Sequence, residues 1–340
     1  MVEEALREET QREEPQTEDC FVGPRELACP VEEDIIPCVC SQWNKISLDL
    51  DCSDVEDEDD LARVFKANFP YPQFRRLTIK NNQHVKVLRK SDLGNITFEQ
   101  FWITDGVLEE VEEGALSTSA STIVNLVFNF NNISSFPFLD LKDFPMLTSL
   151  DMRHNEIKGF PELYSETLGS LFLSVNPLGE LPVHAFANTP SLVNIHLSQT
   201  RIPEIIPGTF ENLKLLKNLG MGANLITHLD ENAIQCSHTT GLIDLGYNTI
   251  RDVHVNAFPG LVNGWIYIHH NGIKFLEEEV WKPLIDSGGY IDPYGNPLEC
   301  GCDVAWVVRD PVVRDGFDIY TSCADGQMLV DLDPFDYVPC

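Results

Sequence analysis

The sequence has 340 residues, with 54 acidic against 23 basic side chains, which gives a formal net charge of -31 and an isoelectric point near 4.4. Polyanions repel a chain this acidic, so the charge argues against nucleic acid or an anionic membrane surface as a partner. No apolar run reaches the roughly 18 residues of a membrane-spanning helix, so no membrane anchor is predicted.

Residues 1–28 are rich in glutamate and poor in apolar side chains. Such a segment buries too little apolar surface to offset the entropy lost on ordering, so we expect an acidic disordered tail. It also lacks the basic n-region and apolar h-region of a signal peptide. The secreted location inferred below therefore implies either that a signal peptide has been trimmed or that this sequence starts after it.

Residues 29–73 hold a cluster of four cysteines just before the first repeat. The cluster comprises Cys29, Cys38, Cys40 and Cys52. Its spacing differs from the CxxC pairs of zinc sites and is typical of disulfide-bonded extracellular segments. Leu61, Val64 and Phe65 then follow at the spacing of one helix face. We expect a small N-terminal cysteine cap.

An asparagine recurs at intervals of 21 to 25 residues along the rest of the chain, with a glycine and a threonine in two gaps. The column comprises Asn82, Gly106, Asn131, Asn155, Asn176, Thr200, Asn224, Asn248, Asn271 and Asn296. The frame around each one is apolar-x-x-apolar-x-apolar-x-x-Asn-x-apolar, the signature of a leucine-rich repeat. Apolar positions 4 and 6 flank a variable position, which predicts a short strand with one buried face.

We therefore predict an α/β leucine-rich repeat solenoid of about ten repeats over residues 74–295, with a parallel sheet on its concave face. An amide is both donor and acceptor, so each asparagine is expected to satisfy backbone groups buried where the chain leaves a strand. Each group left unpaired would cost about 1–3 kcal/mol. Cys236, in the seventh repeat, is predicted to be a buried thiol. Cys20, in the tail, is left with three alternatives: pairing with Cys236, pairing with another chain, or a free thiol.

The variable positions 5 and 7 of the frame converge on the concave face, the usual binding surface of solenoids. The predicted N-terminal patch is apolar and comprises Trp102, Val127, Phe130, Phe172 and Val175. The predicted C-terminal patch is aromatic and acidic and comprises Asp244, Tyr247, Tyr267, His269, Asp292 and Tyr294. Exposed aromatic side chains favour interfaces, so both patches are predicted to bind a protein partner. The alternative is that these rings only pack along the sheet surface.

Residues 296–340 hold the second cysteine cluster. It comprises Cys300, Cys302, Cys323 and Cys340. A solenoid exposes an apolar cross-section at each end, and these cysteine clusters are placed to staple a cap over each one. Disulfide caps indicate an oxidising, extracellular compartment. The glycosylation sequons at Asn95 and Asn132 agree with that location.

No catalytic motif is present: GxSxG, HExxH, GxGxxG and Walker sequences are all missing. No cysteine or histidine spacing fits a metal site, and no cofactor is predicted. The chain is therefore predicted to be non-catalytic. An enzyme with a site around His269 and Asp292 is the alternative of another class.

The sequences IIPCVC at residues 35–40 and LDLDCS at residues 48–53 resemble the N-terminal cap of a family of secreted arthropod leucine-rich repeat proteins. This is the family of the Oplophorus-luciferin 2-monooxygenase non-catalytic subunit. The similarity extends through the repeats to NPLECGC at residues 296–302. It implies a secreted, non-catalytic partner of a small luciferase subunit that oxidises coelenterazine.

The resemblance also implies how the cysteines pair. Neighbours that flank a single residue point apart on an extended strand, so they are not expected to join each other. Related caps pair first with third and second with fourth, which gives Cys29–Cys40, Cys38–Cys52, Cys300–Cys323 and Cys302–Cys340. The predicted function is a secreted protein-binding scaffold, with an adhesion or receptor-ectodomain-like module as the alternative. The oligomeric state is left open.

Overall fold

The computed structural model describes residues 27–235 and 241–340. Its strands, in chain order, are β1 (Val39–Asn44), β2 (Ser47–Asp51), β3 (Gln73–Lys80), β4 (Val87–Leu88), β5 (Thr97–Thr104), β6 (Glu110–Val111), β7 (Asn125–Val127), β8 (Ser149–Asp151), β9 (Ser170–Phe172), β10 (Asn194–His196), β11 (Asn218–Gly220), β12 (His228–Leu229), β13 (Leu242–Asp244), β14 (Asp252–Val253), β15 (Trp265–Tyr267) and β16 (Tyr290–Asp292). The α-helices are α1 (Glu32–Ile35), α2 (Glu58–Val64), α3 (Glu278–Asp286), α4 (Ala305–Val308) and α5 (Pro311–Arg314).

Twelve strands within these ranges form one sheet in the order β1-β2-β3-β5-β7-β8-β9-β10-β11-β13-β15-β16. β1 pairs with β2 in antiparallel fashion, and every later pair is parallel. The predicted parallel sheet is confirmed. It is longer than the repeat pattern indicated, because strand β2 of the cap joins it beside β3. Two short ladders, β4 with β6 and β12 with β14, pair outside this sheet.

The asparagine amides form the bonds that the repeat pattern predicts. Asn155 Oδ1 accepts the Ile133 N–H at 2.9 Å, while its Nδ2 donates to the carbonyls of Phe128 and Met152 at 2.9 and 3.0 Å. One amide therefore joins two consecutive repeats. The same arrangement recurs at Asn131, Asn176, Asn224, Asn248, Asn271 and Asn296.

The ladder of amides lacks two rungs. A Cβ on Gly106 would lie 2.9 Å from both Asn131 Oδ1 and the Asn82 carbonyl, so the position has no room for a side chain. Without an amide there, the His84 N–H binds Asn82 of its own repeat at 2.9 Å. The second gap in the ladder is at Thr200, whose side chain has no amide group.

The residue before each column position lies in the left-handed region of backbone space. These residues are Asn81, Asp105, Phe130, His154, Val175, Gln199, Ala223, Tyr247, His270 and Gly295. Their φ values run from +51° to +73°. Asparagine and glycine adopt this conformation at low cost, whereas β-branched Val175, at +58°, is strained. The repeated turn thus imposes one conformation on whatever side chain stands there.

Both ends of the sheet are covered by disulfide-bonded caps. Disulfides join Cys29 to Cys40, Cys38 to Cys52, Cys300 to Cys323 and Cys302 to Cys340. These are the pairs that the resemblance implies. Helix α2 begins at the N-cap Asp57, whose side chain accepts the Asp60 N–H, and it buries Leu61 and Val64 under the first repeat. Residues 1–26 of the acidic tail, which include Cys20, and Cys236 lie outside the described residues.

Candidate functional site

The concave face is organised by the register of the parallel strands. Frame position 5 forms one column across the sheet, in which each residue is the register partner of the next. The column reads Asp51, Thr78, Trp102, Val127, Asp151, Phe172, His196, Gly220, Asp244, Tyr267 and Asp292. The side chains expected on one face therefore do share it.

The N-terminal patch is not the apolar surface that the sequence predicts. Trp102 is 40% exposed, and the Arg76 guanidinium lies 3.9 Å from its ring centroid. Arg76 is itself held by Gln100, whose Oε1 accepts from Nε at 3.0 Å. A cation over the face of an aromatic ring is a favourable contact, so Trp102 and Arg76 together present a surface that is partly apolar and partly charged. The repeat frame does not indicate this stacking, because Arg76 belongs to the neighbouring strand.

A second arginine covers the other ring of the patch. Arg153 donates two hydrogen bonds to Asp151, at 2.9 and 2.6 Å, and its guanidinium lies 5.4 Å from the Phe172 centroid. These bonds raise the pKa of Arg153 above its usual value. His196 stands on the other side of Phe172, with 5.0 Å between ring centroids. Burial, and then the charge of Arg153, lower the pKa of His196, so the neutral imidazole is favoured.

Phe130 and Val175 lie away from this cluster. Both occupy the left-handed position at the end of a strand, at the edge of the concave face. Phe130 is 46% exposed and stacks on His154 at 4.1 Å between ring centroids. Val127 is the register partner of Trp102, but Asp151 separates it from Phe172. The five predicted residues thus do not form one apolar patch, because Phe130 and Val175 lie apart from the rest and arginine side chains stack on Trp102 and Phe172.

Three glycines open a trough between the two halves of the face. The trough is floored by Gly220, Gly222 and Gly246, with Asp244 among them. A Cβ on Gly220 would lie 3.1 Å from His196 Nδ1, and one on Gly246 would lie 2.5 Å from His269 Nε2. Those two imidazoles therefore lean over the glycines and form opposite walls. Tyr267, the register partner of Asp244, adds an aromatic wall.

The C-terminal patch comes together as predicted in its aromatic and acidic members. Tyr247 is 59% exposed and stacks on His270 at 4.6 Å. His269 Nδ1 lies 3.4 Å from Asp292 Oδ2, a distance suited to an ion pair, yet its angle does not make a hydrogen bond. We interpret the contact as an ion pair only when His269 is protonated. Tyr294 is exposed and meets the ring of His270 edge-on at 5.3 Å.

Two further aromatic residues, which the repeat frame did not single out, extend this patch. Trp265 is 52% exposed and lies 5.4 Å from the Tyr290 ring. Tyr290 donates a hydrogen bond to Asp318 at 2.8 Å. Burial and that bond raise the pKa of Tyr290 well above its usual range. Both residues occupy frame position 3, which also faces the concave side, and inspecting that position would have found them.

The remaining predicted sites are plain surface features. Asn95 and Asn132 are both exposed, as an acceptor for a glycan must be. No group of three or more histidine, cysteine, aspartate or glutamate side chains in the described ranges is arranged to hold a metal ion. Within the same ranges, no helix has the length and apolar character needed to cross a bilayer.

Comparisons with known proteins agree with this geometry. A family model for leucine rich repeats matches residues 166–226. The Oplophorus-luciferin 2-monooxygenase non-catalytic subunit of Oplophorus gracilirostris is 35% identical over 312 residues, which cover 91% of this chain and 87% of the relative. Podocan of Mus musculus is 24% identical over 291 residues, which cover 77% of this chain and 44% of podocan.

Solved structures share the same architecture. A chain from the octameric complex of Latrophilin 3, Unc5D and FLRT2 matches with a TM-score of 0.66 and 17% identity, over 84% of this chain and 87% of that one. A chain of the Toll–Spatzle complex from Drosophila matches with a TM-score of 0.59 and 18% identity, over 77% of this chain and 38% of that one. At these identities the likeness shows the fold, and the predicted leucine-rich repeat is confirmed.

Proposed function

Because this chain belongs to the leucine-rich repeat family of the Oplophorus-luciferin 2-monooxygenase non-catalytic subunit, we propose that it is a secreted, non-catalytic subunit that binds a small luciferase chain. The relative is named as non-catalytic, and the fold is that of a binding scaffold. Four disulfides in the caps fit an extracellular protein. The partner is therefore an extracellular protein.

The concave face carries the proposal. It presents one continuous column of aligned side chains, and the exposed aromatic residues Trp102, Tyr247 and Tyr294 lie along it or at its edge. Tyrosine and tryptophan bury a large area at little entropic cost, and they dominate the binding energy of many interfaces. A sheet fixed by backbone pairing also holds these rings in place before a partner arrives, which lowers the cost of binding.

Two double variants test the face. Trp102→Asp with Phe172→Asp, and Tyr267→Ala with Tyr294→Ala, are expected to weaken capture of the native partner by roughly thirtyfold or more, since one hot-spot ring contributes about 2 kcal/mol. Leu215→Asp with Val255→Asp is the matched control, because both residues are exposed but lie outside the main sheet. The thermal transition of all three variants should stay close to that of the native protein.

The partner itself is identified by mass spectrometry of proteins that co-purify from the native source. We expect a small chain that oxidises coelenterazine, and no light from the purified scaffold alone. Light from the scaffold alone would refute the non-catalytic assignment. Capture of a different extracellular protein by the same face would favour the adhesion or receptor-ectodomain alternative. Undiminished capture by both double variants would move the binding surface off the concave face.

A further inference from the structure

One local arrangement of aspartate recurs on the concave face. Asp151, Asp244 and Asp292 all occupy frame position 5. Each accepts, through Oδ1, the backbone N–H of the residue two positions later, at 3.1, 2.9 and 3.0 Å respectively. This bond fixes the carboxylate at the end of its strand, and it leaves Oδ2 available for another group.

At Asp151 the chain supplies that other group itself. Arg153 donates to Oδ2 at 2.6 Å and to Oδ1 at 2.9 Å, a fork-to-fork pair. The same guanidinium lies over the ring of Phe172, which is the register partner of Asp151 on the next strand. Carboxylate, guanidinium and aromatic ring therefore form a complete three-part cluster within one chain.

Strands β13 and β15 repeat two of these three parts. Asp244 stands where Asp151 does, and its register partner is Tyr267, in the place of Phe172. The residue two positions after Asp244 is Gly246, so no guanidinium is supplied. Asp244 forms no ion pair in the described part of the chain, and frame positions 3, 5, 7 and 8 of the last four repeats hold no lysine or arginine.

The surroundings keep the Asp244 carboxylate accessible. A Cβ on Gly222 would lie 3.3 Å from Asp244 Oδ2, so any larger residue there would cover the oxygen. Gly220, the register partner of Asp244 on the neighbouring strand, has no side chain that could cover the carboxylate from that side. Asp244 is partly exposed, and the trough defined above thus has a fixed carboxylate with an aromatic ring beside it.

We propose that Asp244 and Tyr267 bind an arginine side chain of the protein partner, in the position that Arg153 has beside Asp151 and Phe172. The inference rests on the proposed function, because it names the chemistry that the concave face recognises. A guanidinium suits the site better than an ammonium, since it can pair with the carboxylate through two N–H groups while its flat face stacks on the ring.

The test uses small probes and nuclear magnetic resonance of the intact protein. N-acetyl-arginine amide should shift the Tyr267 ring signals, assigned with Tyr267→Phe, in a saturable way. The neutral isostere N-acetyl-citrulline amide should not, and N-acetyl-lysine amide should bind more weakly. Asp244→Asn keeps the acceptor for the Gly246 N–H but removes the charge, and it should weaken arginine binding by about tenfold or more.

Asp252→Asn is the control for non-specific attraction between the cationic probe and this acidic protein. Asp252 is exposed on β14, outside the main sheet, and its substitution makes the same change in net charge. Arginine binding should be unchanged in this variant. An equal loss in both variants, an equal response to citrulline or lysine, or the absence of a saturable shift would each overturn the inference.

Partner capture separates this inference from the proposed function. If Asp244→Asn captures the native partner as well as the native protein does, while the two double variants lose it, the arginine site is refuted and the concave scaffold stands. If the double variants also keep full capture, the proposed function fails, and the probe experiment alone decides whether Asp244 and Tyr267 bind a guanidinium.

Discussion

Single amides hold consecutive repeats together in this protein. Seven of the eight asparagines of the column are almost fully buried and Asn271 is partly buried; each serves at least three backbone groups, as Asn155 does for Ile133, Phe128 and Met152. Buried backbone groups without a partner are costly, which explains why an amide and not an apolar residue occupies the position. The sequence predicted this role fully, because the asparagine spacing and the residue's donor and acceptor chemistry allow few other uses.

Replacing Asn155 by alanine should lower the free energy of unfolding by about 1–3 kcal/mol, because it leaves backbone groups buried without partners. Thr148→Ala is the control: Thr148 is exposed, and its single bond to the Val124 carbonyl is 3.2 Å long. Urea unfolding followed by circular dichroism measures both variants. Equal losses would mean that the amide contributes no more than a surface hydroxyl.

Replacing Val175 should increase the stability of the protein, the opposite of the effect expected at Asn155. It is a β-branched residue at φ +58°, a conformation that costs roughly 1–2 kcal/mol for most side chains. The equivalent residues Asn81 and Gly295 show which residue types the turn accepts more readily. Val175→Asn should therefore raise the free energy of unfolding by about 1 kcal/mol. A decrease would show that the packing of the valine side chain outweighs its backbone strain.

The elements that close the solenoid depend on disulfides as well as on packing. Cys38 and Cys52 are buried against the first repeat, whereas Cys29 and Cys40 pack only partly against the core. The sequence predicted both caps, since clustered cysteines at the ends of a solenoid have few other uses. It did not predict that β2 extends the sheet into the cap, because the asparagine frame begins only at the next strand.

Removing the two N-terminal disulfides one at a time should separate chain entropy from packing. The loops span 11 and 14 residues, so loop entropy predicts a similar loss of about 3 kcal/mol for each. Alanine at Cys38 and Cys52 also creates a buried cavity, which should cost roughly 1–2 kcal/mol more. Thermal unfolding of the two double variants gives the comparison. A larger loss from Cys29→Ala with Cys40→Ala would contradict the burial argument.

The whole molecule is an acidic solenoid with an uneven concave face. The alternation of the frame placed Trp102, Phe172 and Tyr267 correctly, since side-chain direction in a strand follows position alone. The alternation did not predict that Arg76 and Arg153 stack on rings, because contacts, and not strand register, decide where a long side chain lies. The predicted apolar patch was wrong for that reason. The acidic and aromatic patch was predicted better, because it contains no long, flexible side chain.

Net charge should make the stability of the protein depend on salt. With 54 acidic and 23 basic residues, most carboxylates have no cation of their own, so folding brings like charges together. Raising sodium chloride from about 10 mM to about 150 mM shortens the screening length from roughly 30 Å to roughly 8 Å. The midpoint of thermal unfolding should rise, with potassium chloride giving the same increase. A fall would mean that surface ion pairs such as Lys86–Glu109 outweigh the repulsion.

The gap in the asparagine column at Thr200 should make one junction of the solenoid easier to open than its neighbours. At an intact junction the Ile157 N–H reaches Asn176 of the next repeat, whereas at Thr200 the Leu178 N–H turns back to the carbonyl of Asn176. Stability in stacked repeats is a sum over neighbours, so a junction with fewer cross-repeat bonds opens at lower free energy. Amide hydrogen exchange should therefore show lower protection near residue 200 than at the neighbouring junctions, whereas the seven register pairs between β3 and β5 should keep protection high at Gly106.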